Sequence, residues 1–419
     1  MSQPKPSHRV LPFEVDRLIC FALGVLFCGL LQIAWPMAEE WWRPKELSVP
    51  VSARPLSLTN YVRTSETPAG TFEYVRLPLG EPDDLLPDVR VRLPAPRWFF
   101  AGGTAAQLKR LFRASDLTDE QRTWLMDPGH WEPARGGLYV TPSLELVAGL
   151  SRMGRGQIYS ALADSPVNSP QHYPYRFPIN GVEERLADCG LTTNTWEVLR
   201  RLLYVQEGTV CFADGAIAQQ LLTTEEFGSL VKALTREPTF LMRLMVSRQT
   251  DIEQVLRYWS KGGCGRGLKP ILESLSKVPG GAGLNVNYLL PPLARQRLYT
   301  YAPASSDPAR SRQNCFWTAL NFFNEQPDER FLDPENVLHA LRSEYHAPEG
   351  GREFGDIICL MDVKDRPVHM CVYIADDVVF TKNGIDGRAP WVLMKISDML
   401  VEYPSNPLMK LVTLRHNGS

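Results

Sequence analysis

Residues 18–35, LICFALGVLFCGLLQIAW, form one apolar run interrupted only by the amide of Gln32. A helix needs about 20 such residues to cross a bilayer. A run of this kind divides the chain into a short leading tail and a long body on the other side. Arg9 and Arg17 precede the run, and Glu39 and Glu40 follow it. The basic flank is expected to stay in the cytoplasm, which sends the body outward. Trp35, Trp41 and Trp42 suit the outer interfacial belt. The expectation is an uncleaved anchor within residues 1–45, fixed in the inner membrane, with the body facing the periplasm or the cell exterior. A cleaved secretory signal is the second reading, although Trp35-Pro36-Met37-Ala38 is poor cleavage chemistry. A buried core helix is the third. The first two readings share an extracytoplasmic body.

That body is long enough for more than one domain: the chain has 419 residues, of which 44% are hydrophobic. A net charge of −2 supplies no basic field for nucleic acid, so that class of partner is set aside. The eight cysteines contain no CxxC pair, no Cys/His cluster at zinc spacing and no evident disulfide framework. Each reads first as a buried thiol.

The middle of the chain reads as helix-rich. Residues 46 to 95 are Pro-rich, and Phe72–Leu77 and Val89–Leu93 alternate as short strands or extended arms. From Ala105 the pattern turns helical. Ala105–Ala114 forms one segment, and Asp116 and Thr118 before Asp119-Glu120 signal the next. Residues 195 to 206 follow, and then a helix opened by Thr223-Thr224-Glu225-Glu226. Residues 238 to 246 and 251 to 260 continue the series. Gly262-Gly263-Cys264-Gly265 lacks the Lys-Ser/Thr of a phosphate loop and reads as a turn with a bystander Cys. His130 and His172 stand in Pro/Gly-rich loops without a partner motif. Residues 46–300 are thus expected to be a helix-rich domain with a Pro-rich leading arm, and a linker-like stretch at 301–310 opens the last domain, 301–419.

The chemistry concentrates there. In Arg312-Gln313-Asn314-Cys315-Phe316-Trp317, Asn314 is a good N-cap, which puts Cys315 in the first turn of a helix. Phe316, Leu320 and Phe323 lie at i, i+4 and i+7, one apolar face. Free amides and the dipole at a helix start lower a thiol pKa, and the same amides can hold an oxyanion. A second helix begins at Asp333-Pro334. Gly355–Met361 and Val368–Ile374 read as strands, Asp376-Asp377 as a tight hairpin turn, and Val378–Lys382 as the return strand. Helices with an antiparallel meander make the fold class α+β.

This arrangement resembles the NlpC-type cell-wall peptidases of the papain-like superfamily over roughly residues 310 to 405. The shared features are a Cys at a helix start, a later Gly355-Asp356-hydrophobic strand, and His369 four residues before Tyr373-Ile374 and a hairpin. The chain departs from that family's pattern in having Asn314-Cys315-Phe316-Trp317, without Ser-Gly after the Cys. The resemblance implies a papain-like domain with the Cys-bearing helix packed on an antiparallel sheet. It makes Cys315 the nucleophile and His369 the base, with no metal or organic cofactor, and a cell-wall peptide or other amide as the substrate. The family's third polar group falls by spacing on Thr381, while Asn383 is chemically the better partner for an imidazole. The expected set is Cys315, His369 and Asn383, lined by Phe380–Gly384 with Pro390-Trp391. His339 and His346 are rival bases, and Cys359 and Cys371 read as packing. Two other outcomes stay open: a non-catalytic binding or scaffolding protein of the same fold, and acyl transfer in place of hydrolysis.

Overall fold

The computed structural model describes residues 63–263, 265, 267–302, 313–384, 389–403 and 409–418. The apolar run at 18–35 with its Cys20 and Cys28, Cys264 and the stretch 303–312 lie outside them. Among the described residues no helix is long and apolar enough to cross a membrane. The fold class is α+β, with helices and antiparallel sheets together.

A four-stranded antiparallel sheet has the order β1 (Arg63–Thr67), β2 (Gly70–Leu79), β3 (Glu237–Val246), β4 (Ala282–Asn285). Strand β3 corrects the helix expected at 238 to 246. Phe240, Met242, Leu244 and Val246 are buried at every second position. A period of two buries all four on one sheet face, whereas a helix would scatter them around its axis. β3 is also paired on both edges, with β2 along its whole length and with β4 at its end. Gly70, at φ 120°, allows the β1–β2 turn to press on this sheet, since a Cβ there would meet Leu244 at 2.4 Å.

The second large sheet is six-stranded, in the order β5 (Tyr345–His346), β10 (Lys410–His416), β6 (Ile357–Met361), β7 (Pro367–Ala375), β8 (Val378–Lys382), β9 (Trp391–Lys395). Asp376 and Asp377 both take left-handed φ at the β7–β8 turn, a conformation that Asp tolerates. Three helices accompany the sheet: α1 (Cys315–Leu320), α2 (Pro334–Ser343) and α3 (Ile396–Glu402). Ile357, Cys359, Met370, Val372, Phe380 and Trp391 share one core with α1. Ile358, Cys371, Val379, Val392 and Met394 pack on the other side with Ile396 and Met399 of α3. The outer strand β9 is not left bare. Tyr299 N–H donates to the Trp391 carbonyl at 2.8 Å, and Trp391 N–H to the Thr300 carbonyl at 3.0 Å. That pairing removes an edge that would otherwise invite another chain.

The middle region holds the expected helices at Ala105–Ala114, Asp119–Met126, Thr224–Leu234 and Ile252–Trp259. Thr104, Thr118 and Thr223 each close a capping box, with Gln107, Gln121 and Glu226. One expectation changes. The helix over 195 to 206 runs instead from Thr193 to Leu202, and Tyr204–Gln206 is a strand paired with Thr209–Phe212. Of the two readings of Val89–Leu93 the structure has the arm, with Gln219 Nε2 donating to the Val89 and Val91 carbonyls. The apolar cores also do not part at residue 300. Residues from 98 to 234 build one core, while β2, β3, Trp259 and Leu289 belong to the same core as Cys315 and the six-stranded sheet.

The core of the 98–234 region closes on a buried ion pair, Arg155 Nε to Asp214 Oδ2 at 2.7 Å. Tyr159 Oη donates to the other carboxylate oxygen at 2.5 Å, and the guanidinium also donates to the carbonyls of Val147, Leu150 and Arg201. Removing one partner leaves a buried charge uncompensated. Asp214→Ala is therefore expected to cost about 3–5 kcal/mol, read as a lower urea midpoint. A midpoint unchanged from the wild type would show that the pair is not a stabilising element.

Candidate functional site

Cys315 is the first residue of α1, as the Asn314 cap requires: Trp317 N–H donates to Asn314 Oδ1 at 3.0 Å. The helix is shorter than its sequence suggested. It ends at Leu320, and Phe323 lies beyond it against Phe322 and Phe354. Two glycines make room for that ring. A Cβ on Gly262 would meet Phe323 at 2.1 Å, and one on Gly355 at 2.4 Å.

The Cys315 thiol is 5% exposed and lies against the backbone amide of Met370 on β7. Burial pushes it up to about 11, against the pull of the Met370 amide, the Lys382 ammonium and the Phe316 and Cys315 amides. The lowered thiol expected from the helix start is thus overturned. A helix terminus is worth about 0.3–1 kcal/mol, less than one pKa unit, whereas full burial moves a group by several. A six-residue helix has little dipole to oppose that.

His369 is buried at the start of β7. Its Nε2 lies 3.0 Å from Thr381 Oγ1 on β8, while Nδ1 is buried with no hydrogen-bond partner. Tyr403, just past α3, stacks on the ring with centroids 4.2 Å apart and accepts a hydrogen bond from Gly384 N–H at 3.1 Å. Burial lowers the imidazole to about 3, so it is neutral at ordinary pH. By strand alternation His369 shares the Cys371 face, toward α3, whereas Met370 belongs to the Cys315 core. The thiol touches the peptide next to the one that carries the imidazole, and no hydrogen bond joins the two side chains.

The residue that steadies the ring is Thr381, not Asn383. The Asn383 amide donates to Met394 Sδ at 3.6 Å, and its Oδ1 is buried without a partner. The alternation of β8 decides this, because Thr381 lies on the imidazole's face and is fixed by pairing with Val392. Asn383 follows the strand's last residue. His339 is exposed on α2, and His346 is exposed with Nδ1 on Asn417 Oδ1 at 2.8 Å. Cys359 and Cys371 are buried free thiols on β6 and β7. Sequence reasoning passed over Tyr403 and gave Lys382 only a place in the lining stretch Phe380–Gly384. A Lys in the apolar strand Val378–Lys382 was the available signal. Among the described residues no group of His, Cys, Asp and Glu is arranged to hold a metal ion.

The neutral imidazole gives a pH test with a definite sign. The unfolded His binds a proton near its ordinary value of 6.5, and the folded one only near 3. Between those values the unfolded state holds more protons, so stability present above pH 6.5 is lost as pH falls toward 3, by on the order of 5 kcal/mol. Comparison of the wild type with His369→Gln in urea at pH 7.5 and pH 4.5 isolates this contribution. Equal pH dependence in the two proteins would mean that His369 is not held neutral by burial.

No protein-family model, no characterised protein and no solved structure matches this chain.

Proposed function

We propose that the chain is a thiol hydrolase that cleaves an amide bond through an acyl-enzyme on Cys315. The observation that carries this reading is the buried imidazole of His369, whose Nε2 is fixed by Thr381 and whose Nδ1 is left unbonded one peptide from the amide that the thiol touches. A buried polar atom without a partner is costly, and a catalytic role is one of the reasons such an atom is kept. With Nε2–H donating to Thr381, Nδ1 has its lone pair available for a proton. Sulfur attacks the acyl carbon as its proton passes to Nδ1, a transfer that requires the substrate complex to bring the two side chains within hydrogen-bond reach. The same proton then goes to the leaving amine, and water releases the acyl group from sulfur. Because thiol and imidazole both rest neutral, the charge is made during attack and is not stored in an ion pair.

The NlpC-like sequence pattern favours a cell-wall peptide as the amide, and the apolar run at 18–35 favours an anchored protein with its catalytic body outside the cytoplasm. A non-catalytic protein of the same fold is the second reading. The enclosure of both groups, with no hydrogen bond between them, favours it.

Release of new amino groups from peptidoglycan fragments separates the two. Under the hydrolase reading Cys315→Ala abolishes turnover and His369→Ala lowers it at least about a hundredfold. Thr381→Val lowers it by about tenfold, the loss of one positioning hydrogen bond, and Asn383→Ala leaves it near wild type. Turnover that survives Cys315→Ala would end the reading, and a wild type without turnover on any amide would favour the second. Added amine that captures the acyl group would show transfer in place of hydrolysis.

A further inference from the structure

The imidazole of His369 is fully buried, but the ring stacked on it is partly exposed. Tyr403 lies 24° from parallel to the imidazole, with centroids 4.2 Å apart, and so forms the solvent side of its enclosure. Tyr403 is held at both ends. Its Oη accepts the Gly384 N–H at 3.1 Å, and its backbone N–H donates to the Met399 carbonyl of α3. The position of the end of α3 thus sets whether His369 is covered.

Two faces of α3 are in use. Ile396 and Met399 pack on the sheet. Asp398 and Glu402, at i and i+4, lie together on another face. Glu402 Oε1 accepts from Arg185 Nη1 at 3.0 Å, and Asp398 Oδ2 from Arg76 Nη2 at 3.3 Å. Arg76, on β2, also stands 3.7 Å from Glu184, so both links run to the helix Val182–Leu186 of the 98–234 region. Arg185 is fixed from its own side as well. Its guanidinium donates to the Arg176 and Arg236 carbonyls and lies over the Phe177 ring. Glu237 of β3 also acts on Arg185, but burial and the Glu402 charge push its carboxyl upward, which leaves Glu402 as the bonded partner.

We propose that Tyr403 is a shutter over His369 and that the 98–234 region holds it shut through the Arg185–Glu402 ion pair. Parting of the pair frees the end of α3, and the Tyr403 ring moves off the imidazole. The inference deepens the hydrolase reading, on which it rests for the use of His369: the enclosed site becomes reachable when the helical region lets go of α3. A ligand that draws Arg185 away from Glu402 opens the site, and a ligand that enters the site weakens the pair, because the two equilibria are linked.

The test is the modification of His369 by diethyl pyrocarbonate in the full chain at pH 7, mapped by mass spectrometry. The reagent attacks neutral imidazole, which His369 is at that pH, so protection reports enclosure and not charge. Labelling needs no turnover, so the shutter can fail while hydrolysis at Cys315 stands, and can hold in a chain without turnover. In the wild type His369 is expected to react far more slowly than the exposed His339. Glu402→Gln is expected to speed it at least about tenfold, the loss of a charge-assisted hydrogen bond, and Tyr403→Ala to speed it further. Added to Tyr403→Ala, Glu402→Gln should change nothing more, since the cover is already gone. The buried thiols of Cys211 and Cys359, one in each core, should stay protected from iodoacetamide in every variant. His369 labelling unchanged by Glu402→Gln would overturn the proposal. So would a full Glu402→Gln effect in the Tyr403→Ala background, or a parallel rise at the two thiols, which would assign the ion pair to the stability of the fold.

Discussion

The indole of Trp391 is the contact on which the arrangement of the C-terminal sheet depends. Its Nε1 donates to Thr318 of α1, its backbone pairs with Tyr299 and Thr300, and Lys382 and Arg297 both place their charges over its ring. One fully buried side chain thus fixes the helix that carries Cys315, closes the outer edge of the sheet and sets the position of a buried cation. Thr239 reinforces the same corner from β3, bonding both the carbonyl and the amide of Leu393. Through these contacts the four-stranded sheet, far earlier in the chain, becomes part of the core beneath the thiol.

Desolvation governs the chemistry that this packing leaves available. The first turn of α1, the Met370 amide and Lys382 all favour a thiolate, yet burial outweighs them and the thiol rests protonated. The same term removes the proton from His369. Thiol and imidazole thus both rest neutral, which differs from a resting thiolate–imidazolium pair. The stacked Tyr403 ring belongs to this enclosure, since it occupies one face of the imidazole.

Local signals were legible where a short stretch decides the outcome. Asn314 caps α1, Pro334 opens α2, Asp376 and Asp377 form the hairpin turn, and the Thr223–Glu226 box opens its helix. The misread segments are those in which periodicity competes with pairing. Glu237–Val246 holds long apolar residues that suit a helix, but two flanking strands recruit it into a sheet. At the site, spacing alone weighed Thr381 against Asn383. The alternation of a strand, with its partners fixed, chose Thr381.

The sequence by itself determined the residue types and their local frames: a Cys at the start of a helix, a His on a strand, a hairpin after it and an α+β class. Those follow from capping, turn chemistry and alternation, which act over a few residues. Only the tertiary structure decided what the groups are worth. The burial that makes both neutral, the face on which each lies and the hydroxyl that holds the imidazole come from packing and strand pairing between separate elements. Their energies are set by solvent exclusion and by neighbours, which no local pattern of residues encodes.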